Sequence, residues 1–298
     1  MALTEPPYTA RFANFSSLCD VKLNQSLIDT LQKSLHTTTD QHRILNQQAK
    51  LYRRIGQLHH AQSTYQQLLT LNSTHTHTTN LKPSQITPTH LQSTDGYRVP
   101  PIFLIDNFLT PLVVNDLLQQ AIHTKNTFIP AKIDSHQPSY NPFKRKTWVS
   151  RQLGTFKPFF LNHIMHSFPD LCDQLGIPTF DIAQLEIKMT NHLDAGFFDI
   201  HQDNNHLFGD SKRVISWLYY FHQQPRCFEG GDLLLFDTND QTGSYKELGL
   251  TKITPTCNRF VAFPSYFYHA VTPVILASNR FEEGRFAISG HIHYTKRP

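Results

Sequence analysis

Residues 196–204, GFFDIHQDN, form the stretch from which the fold and chemistry of this chain can be worked out. Successive side chains of an extended strand point to opposite faces, so His201 and Asp203 can present an imidazole and a carboxylate to one point. His269 lies 68 residues further on, just after the apolar run FVAF, where a second strand could supply a third ligand. The spacing therefore predicts a metal site that joins two strands.

Two histidines and one carboxylate are the set that holds non-haem Fe(II) while leaving coordination positions open. A bare HxD triplet carries little information in a chain with 18 histidines, however, and a second triplet, His192-Leu-Asp194, is also present. That triplet lies in NHLDAG, whose Asn, Asp and Gly residues are typical of a turn. We therefore expect the metal ligands to be His201, Asp203 and His269.

The chain after Phe180 has the pattern of many short strands separated by Gly, Asn and Pro. Because a sheet must cover its edges, such a series favours a sandwich or a closed barrel, here a jelly-roll-like architecture. The pattern places strands near residues 183–190, 197–202, 213–221, 232–236, 258–263, 268–274 and 285–294.

Residues 1–72 have helical periodicity. Apolar side chains recur at helical spacing from Leu23, and again after Asp40, a residue type that favours a helix N-cap, with a break at Gly56. The segment ILNQQAKLYRRIGQLHHAQSTYQQLLTLN resembles one tetratricopeptide unit, although Ser73 stands where the closing proline is usual. A single unit cannot bury its own apolar face, so we expect a helical brace or a dimer contact, with a peptide-binding groove as the alternative.

Residues 73–96 are rich in Thr, Ser, His, Asn and Pro and are expected to form a linker or a long surface loop. Residues 97–298 then form a C-terminal domain. We expect it to begin with a strand at 102–105 and a helix that has Pro111 at its first position. Residues 126–150 contain three prolines and are expected to be loop, and residues 159–175 a helix that Gly176 ends.

A resemblance to a known family covers residues 99–298. The segments VPPIFLIDNFLT, GFFDIHQDN, RVISWLYYF, FEGGDLLLF, NRFVAFPSYFYHAVTPV and GRFAIS occur in the order found in the Fe(II)- and 2-oxoglutarate-dependent dioxygenases, and the chain resembles their prolyl-hydroxylase-like branch. Each segment alone is weak, whereas the ordered set is highly specific. The resemblance implies an α+β protein, mainly β in its catalytic part. That part would be a double-stranded β-helix (jelly roll) with flanking helices and an N-terminal helical extension.

The resemblance also implies a catalytic site. Fe(II) would be held by His201, Asp203 and His269, with 2-oxoglutarate and O2 as cosubstrates. Arg285 would pair with the far carboxylate of 2-oxoglutarate, and Ser289, on the same strand face, could add a hydroxyl. Tyr220 matches a tyrosine that hydrogen-bonds 2-oxoglutarate in oxygen-sensing prolyl hydroxylases, with a tyrosine packed in the core as the alternative.

The sequence departs from the family at two places. Asn191 stands ten residues before His201, where this branch often has a tyrosine, so we expect that cosubstrate contact to be altered or lost. The loop before Arg285 carries an insertion, SNRFEE, so Arg280 competes with Arg285 for the carboxylate. We prefer Arg285 because the alternation that follows it is typical of a strand.

Further side chains are assigned by their position in strands alone. His291 and His293 would fall on the strand face of Arg285, and we expect them at a polar end of the barrel. Although an aromatic residue in a strand more often belongs to the core, some could line the substrate mouth. The candidates are Trp217, Phe198 and residues 130–148.

Composition describes a globular protein without a membrane span. The apolar fraction is 39%, the charged fraction 17%, and no apolar run approaches the length of a span. The N-terminus lacks the pattern of a signal peptide, and the four cysteines form no CxxC pair, which favours a reducing compartment and a cytoplasmic protein. The net charge of +4 is densest at the KRK of 144–146, where a solvated loop is a better explanation than a nucleic-acid patch.

We expect a hydroxylase that acts on a C–H bond of a peptidyl or free amino acid, or of a related metabolite, and converts 2-oxoglutarate to succinate. Asp203 argues against halogenation, because related halogenases have a small residue at that position. One alternative is a jelly-roll binding or scaffold protein that uses the N-terminal helices to recruit a partner. Another is a nucleic-acid demethylase of the same superfamily. No spacing in the sequence identifies the substrate.

Overall fold

The structure, a computed structural model, describes residues 7–35, 40–73, 96–133, 139–204 and 211–295. Most of the predicted linker, residues 74–95, lies outside the described residues. The chain forms two compact units: Met1–Pro100 with Leu234–Ile253, and Pro101–Leu233 with Thr254–Pro298. A segment that the sequence analysis assigned to the C-terminal domain is thus grouped with the N-terminal helices. The domain boundaries at residues 72 and 96 stay a prediction.

The described residues of the first unit form four helices, which are α1 (Pro7–Leu18), α2 (Val21–Leu35), α3 (Gln41–Arg54) and α4 (Leu58–Ser73). The side chain of Asp40 caps α3 by accepting a hydrogen bond from the backbone N–H of Arg43. Gly56 has a φ of +76°, a left-handed conformation that favours glycine and separates α3 from α4. The helical periodicity of the sequence is confirmed, and α1 is an additional helix.

The same unit contains a β-hairpin, formed by β9 (Leu233–Asn239) and β10 (Ser244–Ile253). Helix α3 contacts β10, and the guanidinium of Arg53 forms a buried ion pair with Asp237. Arg53 Nε also donates a 2.7 Å hydrogen bond to Thr251 Oγ1. Burial of Arg53 would lower its pKa, but Asp237 more than offsets this and raises the pKa above its usual value.

The second unit is built on antiparallel sheets. Its large sheet has the order β1-β11-β7-β14-β5-β4-β2, and a smaller one contains β12, β6 and β3. A short pair is formed by β13 and β8. The strands are β1 (Phe103–Asp106), β2 (Ile129–Pro130), β3 (Arg145–Lys146), β4 (Trp148–Ser150), β5 (Ile182–His192), β6 (Phe197–His201), β7 (Arg213–Phe221), β8 (Glu229–Gly230), β11 (Arg259–Pro264), β12 (His269–Val271), β13 (Val274–Ile275) and β14 (Arg285–Tyr294).

Two helices, α5 (Pro111–His123) and α6 (Phe156–Leu175), pack with the large sheet around one hydrophobic core. The core joins Leu117 of α5 and Phe160 of α6 to strand residues such as Tyr219 and Ile288. Gly176 ends α6 in the left-handed conformation, as expected from its position. No helix among the described residues is long and apolar enough to span a bilayer.

The fold class is confirmed, since the structure combines flanking helices with mostly antiparallel sheets. Each of the seven strands predicted after Phe180 has a counterpart. The prediction that residues 126–150 are loop is wrong in part, because β2, β3 and β4 lie within them. These strands have two or three residues each, too short for alternation to reveal them. Strand β10 was also missed.

Candidate metal and cosubstrate site

Strands β6 and β12 bring the two predicted histidine ligands together. They pair antiparallel, with His201 directly opposite His269. Asp203 follows β6, and its Oδ2 lies 3.2 Å from His269 Nε2, while its Oδ1 lies 3.7 Å from His201 Nε2. The three candidate ligand atoms lie within 4.8 Å of one another. The two-residue spacing of the HxD triplet and the pairing of β6 with β12 thus bring all three candidate ligands together.

Backbone carbonyls fix the orientation of both imidazoles. His201 Nδ1 is 2.8 Å from the carbonyl oxygen of Asp199, and His269 Nδ1 is 2.9 Å from that of Phe267. A carbonyl oxygen can only accept, so each Nδ1 donates to it, and Nε2 is the ring nitrogen left to ligate a metal. This arrangement is the usual one for a metal-ligating histidine. The donor set therefore fits a divalent transition metal such as Fe(II).

Two further groups contact the carboxylate of Asp203. Ser216 Oγ donates a 2.7 Å hydrogen bond to Asp203 Oδ2, and His291 Nδ1 lies 3.7 Å from the same oxygen. Ser265 Oγ lies 2.8 Å from Ser216 Oγ, so a chain of hydroxyls leads to the carboxylate. His291 is thus part of the metal site's surroundings, whereas the sequence analysis expected it at a polar end of the barrel.

The protonation states suit metal binding. Burial lowers the pKa of His201 to about 3, with a smaller contribution from the neighbouring His269, so the imidazole is neutral. Burial alone would raise the pKa of Asp203, but His291 and His269 more than offset this and hold it well below its usual range. A neutral imidazole and an ionised carboxylate are the forms that ligate a metal.

Arg285 and the three candidate metal ligands line one cavity, which we call the inner cavity. The Arg285 side chain is fully buried at the start of β14, and its Nε donates a 2.6 Å hydrogen bond to the carbonyl oxygen of Gly231. Its guanidinium carbon lies 4.9 Å from the ring centre of Tyr220. A Cβ on Gly231 would come within 2.5 Å of Arg285 Cδ, and Gly231 has a φ of +67°, so only glycine leaves this room.

The buried polar atoms that lack a hydrogen-bond partner among the described residues include Arg285 Nη2 and Tyr220 Oη. Buried donors are usually satisfied, so the guanidinium of Arg285 fits a ligand that supplies an acceptor. A carboxylate provides such acceptors and matches the guanidinium fork. This part of the site therefore fits the far carboxylate of 2-oxoglutarate.

His192, from the HxD triplet that was predicted not to bind metal, lines this inner cavity. Its Nδ1 lies 3.4 Å from Arg285 Nη1, and its Nε2 lies 2.9 Å from Thr147 Oγ1. A guanidinium can only donate, so Nδ1 accepts and Nε2–H donates to Thr147. Burial, and then the charge of Arg285, lower the pKa of His192 well below its usual value. Asp194 lies in the following turn, as expected.

The remaining predicted residues fall into separate places. Ser289 lines the inner cavity and shares the β14 face of Arg285. Asn191 lies outside both cavities and donates a 2.9 Å hydrogen bond to the carbonyl oxygen of Phe281, so its placement does not support a cosubstrate contact. Arg280 is 61% exposed and pairs with Glu283. Its exposure and this ion pair favour Arg285 as the carboxylate partner, which stays a prediction.

An outer cavity of about 1080 Å³ opens in front of the metal site. Phe198 lines it and stacks on His201 with ring centres 3.6 Å apart, as a candidate for the substrate mouth should. Residues from 130–145 also line it.

Trp217 instead reaches only the inner cavity and belongs mainly to the hydrophobic core. Arg145 lies within the predicted segment 130–148, whereas Lys188, His192 and Ser216 are site residues that were not predicted. Alternation along β5, which places Lys188, Thr190 and His192 on one face, was the available signal for two of them.

Residues 187–293 match the 2OG-Fe(II) oxygenase superfamily. The chain is 29% identical over 214 residues to an uncharacterized PKHD-type hydroxylase of Synechocystis sp., an alignment that covers 69% of this chain and 67% of that protein. Every residue of the candidate site on β5, β6, β7, β12 and β14 lies within residues 187–293, the part that matches this superfamily.

Two solved structures superpose on part of this chain. A prolyl-4-hydroxylase from Pseudomonas putida has 17% sequence identity and a TM-score of 0.49, with 66% of this chain and 94% of that chain covered. A prolyl hydroxylase from Trichoplax adhaerens, in complex with a peptide fragment of the hypoxia inducible factor oxygen degradation domain, has 20% identity and a TM-score of 0.49. The superposition covers 70% of this chain and 87% of that chain.

Proposed function

We propose that this protein, whose residues 187–293 match the 2OG-Fe(II) oxygenase superfamily, hydroxylates a C–H bond of a peptidyl or free amino acid, or of a related metabolite. Enzymes of this superfamily use Fe(II), 2-oxoglutarate and O2. The proposed reaction converts 2-oxoglutarate to succinate. The relative named as a PKHD-type hydroxylase supports hydroxylation as the outcome.

One observation carries the proposal. The metal triad and the buried guanidinium of Arg285 lie on the wall of the same inner cavity. A cavity that combines a divalent-metal site with a fixed carboxylate fork suits a 2-oxo acid, which can bind metal at one end and the guanidinium at the other. The buried and unsatisfied Arg285 Nη2 supports a protein that binds a carboxylate here over the binding or scaffold alternative.

Each residue of the site has a physical role in this proposal. Fe(II) would be held by His201, Asp203 and His269. Arg285, with Tyr220 and Ser289, would bind the far carboxylate of 2-oxoglutarate. When bound, iron and cosubstrate supply the chemistry that activates O2 and oxidises the substrate C–H bond. The chain keeps the His201 imidazole neutral, holds the Asp203 carboxylate through Ser216, and places the buried side chains of Arg285 and Tyr220 beside the cosubstrate, where they exclude water.

Anaerobic calorimetry with Fe(II), followed by 2-oxoglutarate, tests the two binding steps directly. The parent protein should bind both, and succinate should form in air when amino acids and peptides are supplied. His201→Ala should lose succinate formation and most of its Fe(II) affinity. His59→Ala, a change at an exposed histidine of α4, serves as the matched control and should behave as the parent.

A parent protein that took up neither Fe(II) nor 2-oxoglutarate would overturn the proposal and favour the binding or scaffold alternative. Persistent succinate formation in His201→Ala would also contradict it. A role for the N-terminal helices in bracing, dimerisation or partner recruitment stays a prediction, which light scattering of the full chain can test.

A further inference from the structure

The outer cavity has a strongly cationic lining. The basic residues that line it are Lys132, Lys144, Arg145, Arg151, Lys188 and Arg213, and the acidic ones are Glu186, Asp199 and Asp203. Two of these acids are already paired, because Lys144 Nζ lies 3.3 Å from Asp199 and Arg213 Nη2 lies 2.9 Å from Glu186. Asp203 belongs to the metal site. The lining therefore has an excess of positive charge.

Arg145 and Lys188 differ from the other cations because they line both cavities. The residues shared by the two cavities are Arg145, Lys188, Phe198, His201, Asp203 and His291. The cationic pair thus lies at the junction between the inner and outer cavities, beside two of the metal ligands. Arg145 lies on β3, opposite Phe198 of β6, and Lys188 lies on β5, opposite Ser289 of β14. The two cations come from different sheets.

Neither cation has an ion-pair partner among the described residues. The guanidinium of Arg145 lies over the Phe198 ring, 4.4 Å from its centre, and its Nε is buried without a hydrogen-bond partner. Burial, and then the charge of Arg145, lower the pKa of Lys188 to about 8, and burial lowers the pKa of Arg145 to about 10. Asp203 attracts both cations, but its carboxylate belongs to the metal site, so a further anion would offset the remaining cost of burying two like charges.

We propose that Arg145 and Lys188 form a subsite that binds a carboxylate of the substrate next to the metal. The inference rests on the proposed function, which it deepens by naming the substrate class. The carboxylate is that of a free amino acid or other small acid, or that of an acidic side chain in a peptide. A guanidinium and an ammonium together suit a carboxylate, and its position at the junction places a neighbouring C–H bond before the metal.

The cosubstrate does not account for this pair. The far carboxylate of 2-oxoglutarate has its own partner in Arg285, which lines the inner cavity only. Lys188 and Arg145, by contrast, are also reached from the outer cavity, where a substrate enters. The sides of Arg145 and Lys188 that face the outer cavity are therefore available to an anionic group of the substrate.

The test compares acids with their neutral amides on enzyme loaded with Fe(II) and 2-oxoglutarate. Anaerobic calorimetry measures binding, and succinate release in air measures coupled turnover. One arm uses free amino acids and their primary amides, and the other uses short peptides with Asp or Glu against Asn or Gln. The variants are Arg145→Gln and Lys188→Gln, with Lys132→Gln as control, because Lys132 is an exposed cation of the outer cavity alone.

Acids should bind more tightly than their amides to the parent and to Lys132→Gln. Each of the other two substitutions should raise the Kd of the acid by about tenfold or more and leave that of the amide unchanged, as expected for loss of a charge-assisted hydrogen bond. If free amino acids bind more tightly than their amides, the carboxylate is that of a small acid. If peptides with Asp or Glu bind more tightly than those with Asn or Gln, it is that of a peptide side chain. Unliganded Lys188→Met should also have a higher melting temperature than the parent, because the cost of burying a charge that has no ion-pair partner is removed.

Several results would overturn the inference while the proposed function stands. Amides could bind as well as acids, a methylated oligonucleotide could stimulate succinate release where acids do not, or the Gln variants could lose 2-oxoglutarate binding itself, which would assign the pair to the cosubstrate. A parent protein that bound no 2-oxoglutarate would instead remove the proposed function, and this inference with it.

Discussion

Ser216 Oγ donates a hydrogen bond of 2.7 Å to Oδ2 of Asp203, the carboxylate of the metal triad. Ser216 lies on β7 of the large sheet, whereas Asp203 follows β6 of the smaller sheet. The bond therefore links the two sheets at the metal site. It also holds one carboxylate oxygen in place, which orients the ligand before any metal binds.

Replacement of Ser216 by alanine should weaken Fe(II) binding by about 10–100-fold, the usual effect of losing a partner of a metal ligand. Fe(II) titration under anaerobic conditions measures it. Ser265→Ala, which removes the next hydroxyl of the chain, should have a smaller effect in the same direction. Equal affinities for Ser216→Ala and the parent would show that the hydroxyl does not orient Asp203.

Arg285 and Arg280 should differ sharply in their importance for the cosubstrate. Arg285→Gln removes a buried guanidinium and should raise the Kd of 2-oxoglutarate by about 100-fold, the upper range for bonds to charged groups. Arg280→Gln should leave the Kd unchanged, because Arg280 is exposed and pairs with Glu283. Calorimetry with the Fe(II)-loaded protein measures both, and the reverse order would assign the carboxylate to Arg280.

His192 should act as a positioning residue for Arg285 and not as a metal ligand. His192→Ala removes the acceptor at Arg285 Nη1 and should raise the Kd of 2-oxoglutarate by about tenfold. Its Fe(II) affinity without 2-oxoglutarate should equal that of the parent. Loss of Fe(II) binding would instead show that the second HxD triplet contributes to the metal site.

Arg53→Met should destabilise the unit that contains the N-terminal helices. The substitution leaves the Asp237 carboxylate buried without its partner, which costs about 3–5 kcal/mol in free energy of unfolding. Urea denaturation measures the change. Arg43→Met is the control, since the Arg43–Asp40 pair is exposed and solvent screens it, so its loss should change the stability little. Similar losses in both variants would argue against the importance of burial.

The stability of the metal-free protein should fall as the pH drops below about 6.5, the ordinary pKa of histidine. Burial lowers the pKa values of His192 and His291 in the folded protein. The unfolded chain therefore binds protons that the folded chain does not. Each such histidine removes up to about 1.4 kcal/mol per pH unit in this window. Urea denaturation at pH 7.5 and 5.5 measures the loss, which His192→Gln should reduce.

The sequence alone determined the elements whose signal is local. Alternation and punctuation placed the strands after Phe180, and helical spacing placed α2, α3 and α4. The HxD spacing put His201 and Asp203 on one side of a strand, and the ordered family segments added His269 and Arg285. Each of these signals depends on residues that are near in sequence, or on an order of segments that can be read directly from it.

Only the tertiary structure decided which side chains from different strands meet. It placed Ser216 on Asp203 and His192 on Arg285, turned Asn191 away from both cavities, and brought Arg145 and Lys188 to one junction. It also grouped residues 234–253 with the N-terminal helices through the buried Arg53–Asp237 pair. The physical reason is that strand register and sheet packing arise from long-range contacts. No periodicity within one segment specifies the neighbour that its side chains will find.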